Sequence, residues 1–389
     1  MAIDATTIPM ADWDRAPWNR WSFQHVKELL PTTGISRGSA PVRALPRNEQ
    51  NIGVLAVSGL DDATVTLAEF LEQTFTDGFI VLHRGVVVYE RYLNGMDERT
   101  LHLSQSVAKS FVGMLAGILV ARGAIDVSAP ITSVLPELDA TAYRGATLQH
   151  VLDMTSGARF SEDYTDPFSD IGRADVASGW KPIPADASPG FDWPKSMFEL
   201  ILTLTTREAE HGTRFSYRSI ETDVLAFALE RATGKRLAQL LSEELWQPLG
   251  MEQDANMTVD PAGFAQADGG LNACLRDYAR FGQMVLERGA GVVPESWIEA
   301  TRSADHTLFR EPYTAVLPRG GYRNQFWVED AVSRNLMARG VFGQLIYVDF
   351  AREVVVAKLS SWPEFVNPAW TVATLATVRA IGEALSPRG

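Results

Sequence analysis

The chain has 389 residues, 46% of them hydrophobic, with 10 Trp and 18 Phe, which is enough for a large core in one big domain or two interlocked ones. A net charge of −13 without any Lys/Arg run argues against nucleic acid as a partner, and the single cysteine, Cys274, excludes an internal disulfide. Six histidines are scattered singly, none at a metal-ligand spacing, so neither a metal nor another cofactor is implied.

The start, Met1-Ala-Ile-Asp-Ala-Thr-Thr, has neither the basic nor the apolar region of a secretion signal. The longest apolar run, Phe111 to Ala121, is too short to span a bilayer. A cytoplasmic protein without membrane contact is expected. Its oligomeric state cannot be read from these features.

Residues 1–50 are rich in Pro, Arg and Trp without periodicity and read as an extended wrap over the surface. Val65 to Thr76 has helical spacing. Gly78 to Tyr92 reads as a β-hairpin turning at Arg84-Gly85. Ser106–Arg122 is an expected helix stopped by Gly123, and Thr147–Met154 a second one stopped by Ser156-Gly157. Residues 159–196 form a long Asp/Gly/Pro/Trp-rich loop of the kind that is usually functional. Helical patterns return at Ser196–Thr205, Ile220–Thr233, Leu237–Leu245, 276–288 and 295–302. Strand patterns follow at Gln325–Val328, Leu345–Val348 and Val354–Leu359, and Trp370–Leu385 closes the chain as a helix. Strands at both ends and helices between them predict an α/β (α+β) fold with an antiparallel sheet built from both termini. The expected α/β part is about 1–130 and 265–389, and the expected helical part with its loop is about 131–264.

The most informative motif is Ser106-Val-Ala-Lys109. Residues three apart on a helix share a face, so a hydroxyl sits beside an amine. Serine is a weak nucleophile until a base takes its proton, and lysine can serve when burial holds it neutral. The spacing alone is common: Ser178-Gly-Trp-Lys181 also matches, but in a Gly/Pro-rich stretch that disfavours a helix. Ser106 instead opens a segment that is apolar nearly all round from Val107 to Val120, as in a buried helix whose polar start meets a cleft. The plain alternative is a helix N-terminus that happens to carry both residues. Phe215 and Tyr217 alternate with polar residues and on their own read as a half-buried strand end.

Taken with Tyr217-Arg-Ser219 on a loop and the Gly-containing segment Val341-Phe342-Gly343-Gln344, the order of motifs resembles the serine β-lactamase and penicillin-binding-protein superfamily. Thr155-Ser156-Gly157, Pro248-Leu-Gly-Met251 and Gly269-Gly270-Leu271 resemble its framework. Within it, Glu162-Asp-Tyr164-Thr-Asp-Pro167, Asp175 and Ser178-Gly-Trp180 resemble the substrate loop of the 6-aminohexanoate-dimer (nylon-oligomer) hydrolases and their carboxylesterase relatives. The likeness runs from Trp18-Asn-Arg-Trp21 to Lys358-Leu-Ser-Ser-Trp-Pro363.

The resemblance implies acyl transfer on a small amide or ester through a covalent intermediate. Ser106 would attack, and Lys109 and Tyr217 would share the proton work, with the primary base left open. Backbone N–H groups of Ser106 and Val341 would hold the tetrahedral oxyanion. Tyr164 would donate to the departing nitrogen, Asp175 would hold a substrate ammonium and Trp180 would pack on a methylene chain. Val341-Phe342-Gly343 would be a strand lining the other wall. Phe342 replaces a family His, so a cationic wall for a β-lactam carboxylate is not expected there, and β-lactamase activity is expected to be weak or absent. Asp268 stands where relatives carry an uncharged residue and could bind an ammonium or repel an anion. Cys274 reads as a buried packing residue. Three readings stay open: an amidase on 6-aminohexanoate dimer or similar oligomers, a carboxylesterase on small esters, and a ligand-binding homologue without turnover.

Overall fold

The hairpin expected at 78–92 forms β1 (Thr76–His83) and β2 (Val86–Tyr92), turning through Arg84 and Gly85, both at positive φ. The structure, a computed structural model, describes residues 5–60 and 63–386. From the other end of the chain come β3 (Gly321–Arg323), β4 (Phe326–Val328), β5 (Leu336–Gly340), β6 (Gln344–Asp349) and β7 (Val354–Ser360). They join in one antiparallel seven-stranded sheet of order β2-β1-β7-β6-β5-β4-β3, so the two ends of the chain meet where β1 pairs with β7. This is the β-lactamase/transpeptidase-like fold.

Period-2 patterning sorts the strands' side chains. Ile80, Leu82, Val355, Ala357 and Ile346 face the core that contains α1 (Ala108–Ala121) and α4 (Leu275–Leu286). Phe79, Val81, Val354, Val356 and Tyr347 face the other side, against Leu375, Val378 and Ile381 of α5 (Pro368–Leu385). Between the sheet-forming segments lie α2 (Asp170–Ala177) and α3 (Ile220–Thr233). α3 packs on α1.

A second, four-stranded sheet pairs Thr32–Ile35 with Ala255–Thr258, then Leu271–Ala273, then His102–Leu103. The N-terminal wrap thus contributes a strand, and it pairs with a segment that the sequence assigns to the helical part.

α1 is buried from Ala108 to Leu119, as its all-round apolar sequence requires. Phe111 stacks on Phe281 at 3.7 Å between ring centroids. Gly117 lets Trp297 approach so closely that a Cβ would lie 2.5 Å from its ring. This packing matters because the N-terminal end of α1 carries the Ser-Lys pair.

Three local expectations change. The helix in Val65–Thr76 is confined to Leu67–Gln73 because Thr66 caps it reciprocally with Glu69. The 159–196 loop contains α2, capped by Ser169. The segment Val341-Phe342-Gly343 is not a strand but the tight turn between β5 and β6, with Phe342 at φ 60° and Gly343 at φ +86°.

Candidate active site

Ser106 lies in a short 3-10 turn, Gln105–Val107, directly before α1, and Gln105 holds a positive φ of 49°. A non-glycine residue at such an angle costs about 1–3 kcal/mol and persists only where the surroundings fix it. Lys109, one turn on, is buried and donates from Nζ to Ser106 Oγ at 2.9 Å and to the backbone oxygen of Asp268 at 2.5 Å. The Tyr217 ring lies under the same amine at 5.4 Å, and Lys109 and Ser106 both favour its ionised form. The structure therefore brings the three sequence candidates together. Tyr217 sits on an irregular segment ahead of α3, not at a strand end.

Burial does not hold Lys109 neutral, as the sequence suggested. Burial alone would push its pKa down, but Tyr217, Asp268, Glu162 and Asp223 surround it and together raise it. Burial pushes the Tyr217 hydroxyl up, only partly offset by Lys109. The two groups titrate as a coupled pair, and a base appears once that pair loses a proton.

Two cavities meet at this point, and Ser106, Tyr164 and Val341 line both. β5 can close against the Ser106 turn because residue 340 is glycine: a Cβ there would lie 2.8 Å from the Ser104 oxygen and 3.0 Å from Gln105 Cβ. That contact sets Val341 across from Ser106.

The larger cavity, about 350 Å³, is walled by Tyr217, Trp327, Val316, Leu375, Trp362 and Phe365. Gly343 lines it beside Trp362, and Arg339 reaches it from β5. The smaller, about 40 Å³, holds Asp14, Gln105, Asp175, Trp180, Asp268 and Phe342.

Asp175 is in the small cavity but is already paired. Lys181 Nζ lies 3.0 Å from Asp175 Oδ2 and 2.9 Å from Asp14 Oδ2. Asp14 Oδ1, Asp268 Oδ1 and Gln105 Nε2 are buried there without hydrogen-bond partners. Burial raises the pKa of all three carboxyls, with Lys181 opposing it at Asp14 and Asp175 and Lys109 opposing it at Asp268. Trp180 is both an anchor and a wall. It donates to Thr258 Oγ1 at 3.0 Å and meets Trp13 edge-on at 5.3 Å.

Tyr164 donates to Glu162 Oε2 at 2.5 Å and stacks on Phe365. Glu162 also accepts from the backbone N–H and hydroxyl of Ser219. Phe342 is turned from the large cavity and packs edge-on against Phe23. Cys274 is buried at the start of α4 and its thiol donates to Asp277.

Sequence reasoning missed Glu162 as a half-buried carboxylate, Asp14, Asp223, Lys181 as a partner of Asp175, and Arg339. Arg339 brings a cation to the large cavity from β5, apart from the Phe342 position where none is expected. Among the described residues, no cluster of three or more His, Cys, Asp or Glu could hold a metal ion, and no helix is long and apolar enough to cross a membrane.

The β-lactamase family model matches residues 66–377. A 6-aminohexanoate-dimer hydrolase of Paenarthrobacter ureafaciens is 36% identical over 359 residues, covering 90% of this chain and 88% of that one. Esterase EstB of Burkholderia gladioli is 28% identical over 200 residues, 48% of each chain. A Bacillus anthracis structure, assigned provisionally as a 6-aminohexanoate-dimer hydrolase, superposes with a TM-score of 0.88 at 29% identity over 99% of both chains. With its Ser-Lys-Tyr cluster at the meeting of two cavities, the chain belongs to the β-lactamase family and is a serine hydrolase of that family.

Proposed function

We propose that the protein cleaves linear amides with a cationic end, 6-aminohexanoate dimer or a similar amino-acid oligomer, through an acyl-enzyme on Ser106, with ester hydrolysis as a side activity. The observation that carries this reading is the Ser106–Lys109–Tyr217 cluster opening onto a small acidic cavity. Three carboxyls line it: Lys181 pairs with Asp14 and Asp175, Lys109 acts on Asp268, and Asp14 Oδ1 and Asp268 Oδ1 keep no hydrogen-bond partner, which supports a place for a cationic substrate end.

Ser106 Oγ attacks the carbonyl as its proton passes to the Lys109–Tyr217 pair. The backbone N–H groups of Ser106 and Val341 hold the oxyanion from the two walls. The pair returns the proton to the departing nitrogen, and Tyr164 would assist only by turning its hydroxyl from Glu162 to that nitrogen. Water then takes the reverse path and frees the acid. Trp180 carries the methylene chain.

The test is steady-state hydrolysis of linear 6-aminohexanoate dimer and p-nitrophenyl acetate, with Ser106→Ala and Asp175→Ala. The amidase reading expects dimer cleavage to vanish in Ser106→Ala and to fall more than ester cleavage in Asp175→Ala. A second reading, a carboxylesterase, is favoured by one observation: Lys181 already neutralises Asp175. Ester cleavage alone, with Asp175→Ala neutral, would establish it and refute the first.

A further inference from the structure

Arg339 is the residue of the large cavity that the reaction above leaves without a task. It projects from β5 on the face shared by Met337, with the guanidinium 4.9 Å over the Trp327 ring. Among the described residues no carboxylate pairs with it, and its charge gains support only when Tyr217 is ionised. A charge in an apolar setting is costly unless it is paired. Burial accordingly pulls its pKa down to about 10, which still leaves it ionised at neutral pH.

Two side chains that line the same cavity carry donors buried behind its surface without acceptors. Thr374 Oγ1 and Trp362 Nε1 belong to side chains 5% and 4% exposed, and neither has a hydrogen-bond partner. The indole N–H can only donate. The carboxylate on this cavity's wall, Glu162, is engaged by Tyr164 and Ser219. The cavity thus offers an unpaired cation within largely apolar walls.

We propose that the large cavity is an anion-accepting subsite in which Arg339 binds the carboxylate of a linear aliphatic chain whose scissile carbonyl sits at Ser106. A guanidinium presents parallel N–H groups that match a carboxylate's two oxygens, and Trp327, Val316 and Leu375 suit the methylenes that lead to it. The inference deepens the hydrolase reading and rests on it for the position of the carbonyl. With the acidic small cavity on the other side of Ser106, the site favours zwitterionic chains, a carboxylate in one cavity and an ammonium in the other.

The probe is hexanoate, with hexan-1-ol as its uncharged counterpart, followed by ligand-observed NMR on the full chain at pH 7.5. The expected result is that hexanoate binds more tightly than hexan-1-ol, that Arg339→Leu weakens hexanoate about tenfold or more, and that hexan-1-ol is unaffected. Arg339→Lys should retain part of the hexanoate affinity, which a misfolded variant would not. Equal hexanoate binding in wild type and Arg339→Leu, or equal loss of both ligands, would overturn the proposal. Binding requires no turnover, so the two readings fail separately. Arg339-dependent hexanoate binding without any hydrolysis would refute the hydrolase reading alone, and ester hydrolysis without Arg339-dependent binding would refute the subsite alone.

Discussion

Lys181 Nζ bridges Asp175 and Asp14 at 3.0 and 2.9 Å, so the carboxylate best placed to greet a substrate ammonium already holds one from its own chain. All three groups are well buried, with side-chain exposures of 13%, 23% and 4% for Lys181, Asp175 and Asp14. Removing one partner of such a set leaves the others uncompensated, at a cost of about 3–5 kcal/mol when fully buried and less here. Lys181→Met should therefore lower stability at pH 8. Burial raises both carboxyl pKa values above the unfolded ones, so the folded variant binds more protons than its unfolded chain. Its deficit should shrink as pH falls toward the unfolded carboxylate pKa, about 4. Thermal melts of both proteins at pH 5 and pH 8 check this; an equal deficit at both would count against it.

Asp268 supplies part of the negative surroundings that keep Lys109 protonated. Asp268→Asn removes that support, so the Lys109 pKa should fall. If the Lys109–Tyr217 pair is the base, the rise of kcat/KM with pH should then move to lower pH. The pH–rate profile with p-nitrophenyl acetate reads this directly. A shift to higher pH would contradict the assignment of Asp268 as a supporting charge.

Gly340 allows β5 to reach the Ser106 turn. Gly340→Ala places a Cβ 2.8 Å from the Ser104 oxygen, and backbone must move to admit it. Val341 would be carried away from Ser106. The loss of one oxyanion donor typically costs roughly 10²–10³ in kcat, and a fall of about that size is expected with KM changed much less. Unchanged kcat would remove Val341 from the oxyanion role.

Lys358, on β7, is fully buried, donates to Ser360 and has its pKa lowered by burial to about 7. Its unfolded value is higher, so stability present above about pH 10.4 is lost as pH falls toward 7. Lys358→Met should raise the melting temperature at pH 7, by the equivalent of about 1–3 kcal/mol once the Ser360 hydroxyl is left without its donor. The gain should fade toward pH 10.5. A variant less stable at every pH would show that the lysine contributes more than it costs.

The sequence made legible whatever is local in the chain. Ser106 and Lys109 are one helical turn apart, and the hairpin turns at a pair that tolerates positive φ. Tyr217 joined the site only through family resemblance, because its alternation with polar residues pointed to a strand end where the chain is irregular. Lys181 and Asp14 are separated by well over a hundred residues, and Arg339 reaches its cavity from an edge-ward strand that carries no motif. The strand at Val341–Gly343 is implied by the family resemblance alone, and a turn forms instead, with Phe342 at φ 60° held by packing against Phe23 and Phe365.

The central claim is that Ser106 is the nucleophile. Incubation with a fluorophosphonate, followed by mass spectrometry of tryptic peptides, tests it most directly. The account predicts a single adduct on the Ser106 peptide, absent in Ser106→Ala and strongly slowed in Lys109→Ala. A folded protein that stays unlabelled at Ser106, or is labelled at another serine, would contradict it.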